Sequence, residues 1–140
     1  MANPATSTAY RLPDGRMAVN VTENKTLDAD QVGFVQNIIA DGLTITLPSV
    51  GPGLNYVIRN GGAPKANAPA GTGDNGSVAI NLSPAAADKI QGGVSGTATA
   101  NKDLINTKAT ARVGDEVSLV GGATTAWSVS EIKGVWAREG

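Results

Sequence analysis

The chemistry open to this chain is narrow, because its 140 residues include no histidine and no cysteine. A Ser–His–Asp triad, a thiolate nucleophile, a thiolate zinc site and an iron–sulfur cluster are thereby excluded. The commonest general base and transition-metal ligand is missing as well. What remains is carboxylate chemistry, from Asp28 and Asp30, Asp74, Asp88, Asp103, Asp115 and Glu116, and Glu131. A calcium loop places oxygens at alternate positions and ends on a bidentate glutamate, and no stretch has that pattern. A glycosidase needs two carboxylates flanking the scissile bond, which distant strands of a β protein can supply. Sugar sites also carry aromatic platforms, and Tyr10, Phe34, Tyr56, Trp127 and Trp136 are the whole aromatic complement. In so aromatic-poor a chain the tryptophans read first as core anchors, with Trp136, near the end, equally placed to face a partner. A Ser–Lys dyad is open by composition, but no spacing selects a pair. The glycine-rich 71–76 stretch (GTGDNG) imitates a phosphate cradle, yet it runs on into SVAI, a strand pattern, without the helix, lysine and hydroxyl that a phosphate loop needs. No catalytic residue, metal ligand or cofactor site is expected, and the chain reads as a non-enzyme.

Charge points the same way. Eleven basic and 12 acidic side chains give a formal net charge of -1, so no electrostatic term draws the chain to nucleic acid or to an anionic membrane. Charged residues make up only 16% of the chain, against about 25% in an ordinary soluble domain. Eighteen glycines and seven prolines, with abundant Ala, Thr, Asn and Ser, are the habit of all-β proteins with short strands and many turns. No apolar run approaches the roughly 18 residues of a membrane span. The polar first ten residues lack the basic start and apolar stretch of a secretion signal, so synthesis in a cytoplasm is expected.

The elements that must position these groups fall into two parts, an N-terminal arm over 1–26 and a domain over 27–140. In the arm, a Pro13-Asp14-Gly15 turn precedes MAVNV, where Met17, Val19 and Val21 alternate as one short strand. Over 27–39, Asp28 and Gln31 imitate a capping box, but Gly33 and the β-rich Phe34-Val35 and Ile38-Ile39 favour a strand. Asp41-Gly42 forms a hairpin-type turn into LTITL, which alternates strictly with its threonines on the other face. Further strands are expected over 54–59, 78–82, 116–120 and 127–132, with 104–105 and 108–113 together suggesting one more. Ser83-Pro84 carries the cap and first-turn signals of a short helix ending near Ile90 before Gly92-Gly93. The Gly/Ala/Pro/Asn segment 61–76 is a long loop with hardly an apolar anchor. About eight strands with alternating faces must pack sheet on sheet, as a sandwich or jelly roll, with a small barrel as the alternative.

The order of motifs in the second half has a counterpart. SPAAADKIQG at 83–92, KDLINTKATA at 102–111, GDEVSL at 114–119, WSV at 127–129 and GVWARE at 134–139, with LTITLP and Tyr56 upstream, resemble the small capsid decoration, or cement, proteins of tailed bacteriophages. The likeness covers about 28–140. Similar endings occur in phage tail-fibre and adhesin modules. The resemblance implies an all-β, jelly-roll β-sandwich with one short helix, bound outside the major capsid shell of a virion. The partners it implies are the major capsid protein and further copies of the chain, as a dimer or trimer. It brings no catalytic residue. On this reading the expected contact residues are Met17, Val19 and Val21, pairing with a neighbour's sheet edge, Lys65 and Asn67 in the long loop, and Trp136 and Arg138 near the end. A tail-fibre or receptor-binding module is the alternative, and a carbohydrate-active enzyme a remote one.

Overall fold

A computed structural model describes residues 9–63, 76–122 and 125–139. The chain is all-β. The described residues form twelve strands: β1 (Tyr10–Arg11), β2 (Met17–Val21), β3 (Lys25–Thr26), β4 (Phe34–Ile38), β5 (Leu43–Thr46), β6 (Asn55–Asn60), β7 (Ile80–Ser83), β8 (Lys89–Gln91), β9 (Leu104–Asn106), β10 (Glu116–Gly121), β11 (Ala126–Lys133) and β12 (Ala137–Arg138). They make a seven-stranded sheet, β1-β2-β4-β6-β10-β11-β8, and a five-stranded sheet, β12-β9-β7-β5-β3. Alternation decides which side chains face inward. Leu43 and Ile45 of β5, Tyr56 and Ile58 of β6, Ile80 and Leu82 of β7, and Val117 and Leu119 of β10 are buried, and both sheets contribute to one core cluster.

The path between strands differs from the expected jelly roll, whose strands pair antiparallel. From β2 to β7 the chain passes from one sheet to the other at every connection. Consecutive visits to a sheet therefore run the same way: β2, β4 and β6 pair parallel in the larger sheet, and β3, β5 and β7 in the smaller. β8 also lies parallel to β11. Antiparallel pairing joins β1 to β2, β6 to β10, β10 to β11, β7 to β9 and β9 to β12. The Asp41-Gly42 turn does not close a hairpin. It hands the chain from β4 to β5, in the opposite sheet, with Gly42 at φ 73°.

Three further expectations change. No helix follows Ser83. The alanines make a single turn, in which Asp88 N–H donates to the Ala85 carbonyl, and Lys89–Gln91 is a strand whose Ile90 is buried opposite Trp127. Burial of Ile90 overrides the helix propensity of the alanine run. The Asp28 cap is real but serves only a 3₁₀ turn, Ala29–Gln31, with the Asp28 carboxylate accepting from Asp30 N–H at 2.9 Å before β4 begins. Residues 108–113 are turns, held by Thr110 and Ala111 N–H donating to the Thr107 carbonyl.

The arm boundary at 26 is not a structural one over the described residues. β2 pairs along its whole length with β4, and Ala18, Val19 and Val21 are buried. Residues 1–8 of the expected arm lie outside the described residues.

Candidate functional site

Two regions gather polar and exposed groups in a way that bears on function. The first is one end of the two-sheet body, where the connections after β6, before β7, after β9 and after β11 converge. Three buried polar side chains tie them together. Asn60 donates to the Val78 carbonyl and to Asn106 Oδ1, both at 2.7 Å, and accepts from Gly62 and Val78 N–H at 3.2 Å. Asn106 donates to Asp115 Oδ2 at 3.1 Å and to the Val135 carbonyl at 3.0 Å. Asp115 Oδ2 also accepts from Arg112 N–H at 2.9 Å. Each amide and carboxylate thus replaces lost water with backbone or side-chain partners, so burial is tolerated and the loops are fixed. Ala63 N–H donates to the Gly76 carbonyl at 2.8 Å, bringing the two ends of the long loop together at this place.

Two loop tips project from this network. Val113 follows Arg112 in a turn closed by Asp115 N–H and the Arg112 carbonyl, with Gly114 at φ 98°. Val135 follows Gly134, whose φ is 94° and where any Cβ would overlap the Asp115 carboxylate. Val113 and Val135 are 50% and 55% exposed, the most exposed of the large apolar side chains among the described residues. Both side chains thus face solvent from turns held by hydrogen bonds to the buried network.

The second region is a cleft of about 420 Å³ on the outer face of the larger sheet, partly roofed by the 12–16 turn between β1 and β2. Its floor follows from register. Its Arg59, Glu116 and Lys133 stand opposite one another on β6, β10 and β11, and the row continues beyond the cleft to Asn37 on β4 and Asn20 on β2. Asn37 donates to Asn20 Oδ1 at 3.1 Å and accepts from Arg59 Nη1 at 2.9 Å. Glu116 does not pair with either cation beside it. Its two oxygens accept from Arg16 Nη1 and Nη2 at 2.7 and 3.0 Å, pinning the turn across the sheet. The Glu116 carboxylate holds the Arg16 guanidinium above its ordinary value. Hydrogen bonding from Arg16 N–H lowers the Asp14 carboxyl.

Inside the body, Lys25 Nζ donates to Gln31 Oε1 at 2.8 Å and Gln36 Oε1 at 2.7 Å, and burial pushes its amine below the usual range. Nothing in the sequence singled out this cluster. The strand pattern treats β4 as an apolar run and gives no sign that Gln36 points inward.

The expected contact residues are mostly occupied by the fold itself. Val19 and Val21 are in the interior, and Met17 is half-buried at the start of β2. Trp136 is only 5% exposed, belongs to the core cluster, and donates from Nε1 to the Lys133 carbonyl at 3.0 Å. It is a core anchor, not a surface one. Arg138 spends its donors on the carbonyls of Ile90, Val94 and Ser95, at 2.6, 3.3 and 3.2 Å, fastening β12 to the loop after β8. Lys65 and Asn67 lie outside the described residues. The two exposed valines were missed because a single apolar residue beside a turn glycine carries no periodic signal.

The carboxylates do not assemble into a metal-ligand group of three among the described residues. No helix among the described residues is long and apolar enough to cross a membrane. Compared with protein-family models, with curated proteins and with solved structures, the chain matches none of them.

Proposed function

We propose that this chain is a virion structural protein that binds the outer surface of a tailed-phage capsid shell and cements neighbouring capsid subunits. The observation that carries the reading is the loop end, where the Asn60–Asn106–Asp115 network holds Val113 and Val135 in fixed, solvent-facing positions. Its motif order resembles that of decoration proteins, and two sheets around one core form the compact body such a protein needs. A subunit present in many copies stabilises a shell through repeated modest interfaces, each of about 1,000 Å² or more. The two valines would lie at the centre of such a patch, with the polar loop residues around them as its rim.

The edges of the sheets favour contact through loops over strand addition. β1 and β8 border one sheet and β12 and β3 the other, and these strands are two, three, two and two residues long. Such short edges offer little backbone for a neighbour's strand, so the arm contact expected from 17–21 gives way to the loop end. The major capsid protein is the partner on this reading, and further copies of the chain on the shell a second one. The protein has no catalytic step to perform. Its place is the capsid exterior.

Copy number in purified virions tests this directly. Quantified against the major capsid protein, hundreds of copies per particle support a shell component. A handful would favour the tail-fibre reading, and absence from the particle would end both.

A further inference from the structure

The cleft on the larger sheet borders the loop end at Gly114 and Lys133 and has a chemistry of its own. Arg59, Glu116 and Lys133 are register neighbours on three adjacent strands, an order that ordinarily gives cross-strand ion pairs. Here both Glu116 oxygens are taken by Arg16, reaching in from the 12–16 turn. The ion pairs among the described residues are those of Arg16 with Asp14 and with Glu116, so Arg59 and Lys133 face the cleft without a carboxylate partner. Arg59 is half-buried and its Nη1 is fastened to Asn37 Oδ1, which fixes the guanidinium plane while leaving its other N–H groups to donate. Leu12 and Pro13 supply apolar wall, and Glu131 an unpaired acceptor. The volume, about 420 Å³, lies within the roughly 300–1,000 Å³ of small-molecule sites.

We propose that this cleft binds a small organic anion. Its carboxylate or phosphate group sits between Arg59 and Lys133, its body lies against Leu12 and Pro13, and a hydroxyl donates to Glu131. Guanidinium and ammonium together suit an oxyanion, the first by its planar fork and the second as a mobile point charge. Asp14 and Glu116 also line the cleft, and Arg16 pairs with both of them, which leaves Arg59 and Lys133 as its cations without a carboxylate partner.

The test is an amide-resolved NMR titration of the full chain with glucuronate, with glucose as its neutral counterpart and with inorganic phosphate. The expected result is saturable shifts at Gly114, Glu116 and Lys133 with glucuronate and none with glucose. Lys133→Gln, at an exposed position, should weaken the binding about tenfold without moving the melting temperature, and Arg59→Gln should do the same or more. Equal responses to glucose and glucuronate, or unaltered binding in both variants, would overturn the site. Phosphate binding as tightly as glucuronate would overturn the contribution assigned to the apolar wall.

Discussion

Asn106 shows how much of this structure rests on single polar side chains. Its amide bridges Asp115 and the Val135 carbonyl while its oxygen accepts from Asn60, and the bonds to Asp115 and Asn60 are out of water. Replacing it with alanine strands buried partners on both sides, so Asn106→Ala should cost about 2–3 kcal/mol, read as a lowered urea midpoint. Gly134→Ala meets two obstacles, the positive φ and the Asp115 carboxylate in the space of its Cβ. A loss of about 2 kcal/mol or more is expected in the same measurement. Lys25 adds a pH signature. Because burial lowers its folded pKa from 10.5, the folded state gives up the proton first as pH rises. The cost of the buried charge is therefore present in full at neutral pH, and stability recovers between the folded pKa and 10.5. The stability difference between wild type and Lys25→Met should change across that alkaline window and stay flat from pH 6 to 8. None of these roles was legible in the sequence. Hydrophobic periodicity locates apolar faces, and a buried Asn, Gln or Asp on the same face breaks the pattern it would have to obey.

At the level of elements, alternation was read correctly wherever a strand buries one face. LTITL and the 78–82 segment place their leucines, isoleucines and valine inward, as does 116–120 with Val117 and Leu119, while Val120 faces solvent. Partners were not legible, because alternation says which face a residue takes and nothing of which strand lies beside it. The parallel runs β2-β4-β6 and β3-β5-β7 arise from connections that switch sheets, and a turn such as Asp41-Gly42 looks the same in sequence whether it closes a hairpin or changes layers. The Arg16–Glu116 pair, 100 residues apart, belongs to the same class of long-range facts. Its bidentate geometry fastens the 12–16 turn, but both side chains are partly solvated, so Arg16→Gln should cost only about 0.5–1 kcal/mol. That cost should shrink between low and high salt, which denaturation at two ionic strengths will show.

For the whole molecule, the absence of histidine and cysteine removed most catalytic designs before any fold was known. The two-sheet body then left the 420 Å³ cleft and an apolar loop end as its most distinctive surfaces. The proposed contact makes a separable prediction about that end. Val113→Asp with Val135→Asp changes two exposed side chains, so stability should stay within about 0.5 kcal/mol of wild type. Co-sedimentation with capsid shells lacking the protein should nonetheless be lost, since the carboxylates would be buried in an apolar patch without partners. An image reconstruction of the intact virion tests the central proposal most directly. The expected result is two-sheet density outside the shell, repeated over its capsid junctions, with the Val113 and Val135 loops facing the major capsid protein. Density confined to the tail, or a shell contact made by the opposite end of the molecule, would contradict it.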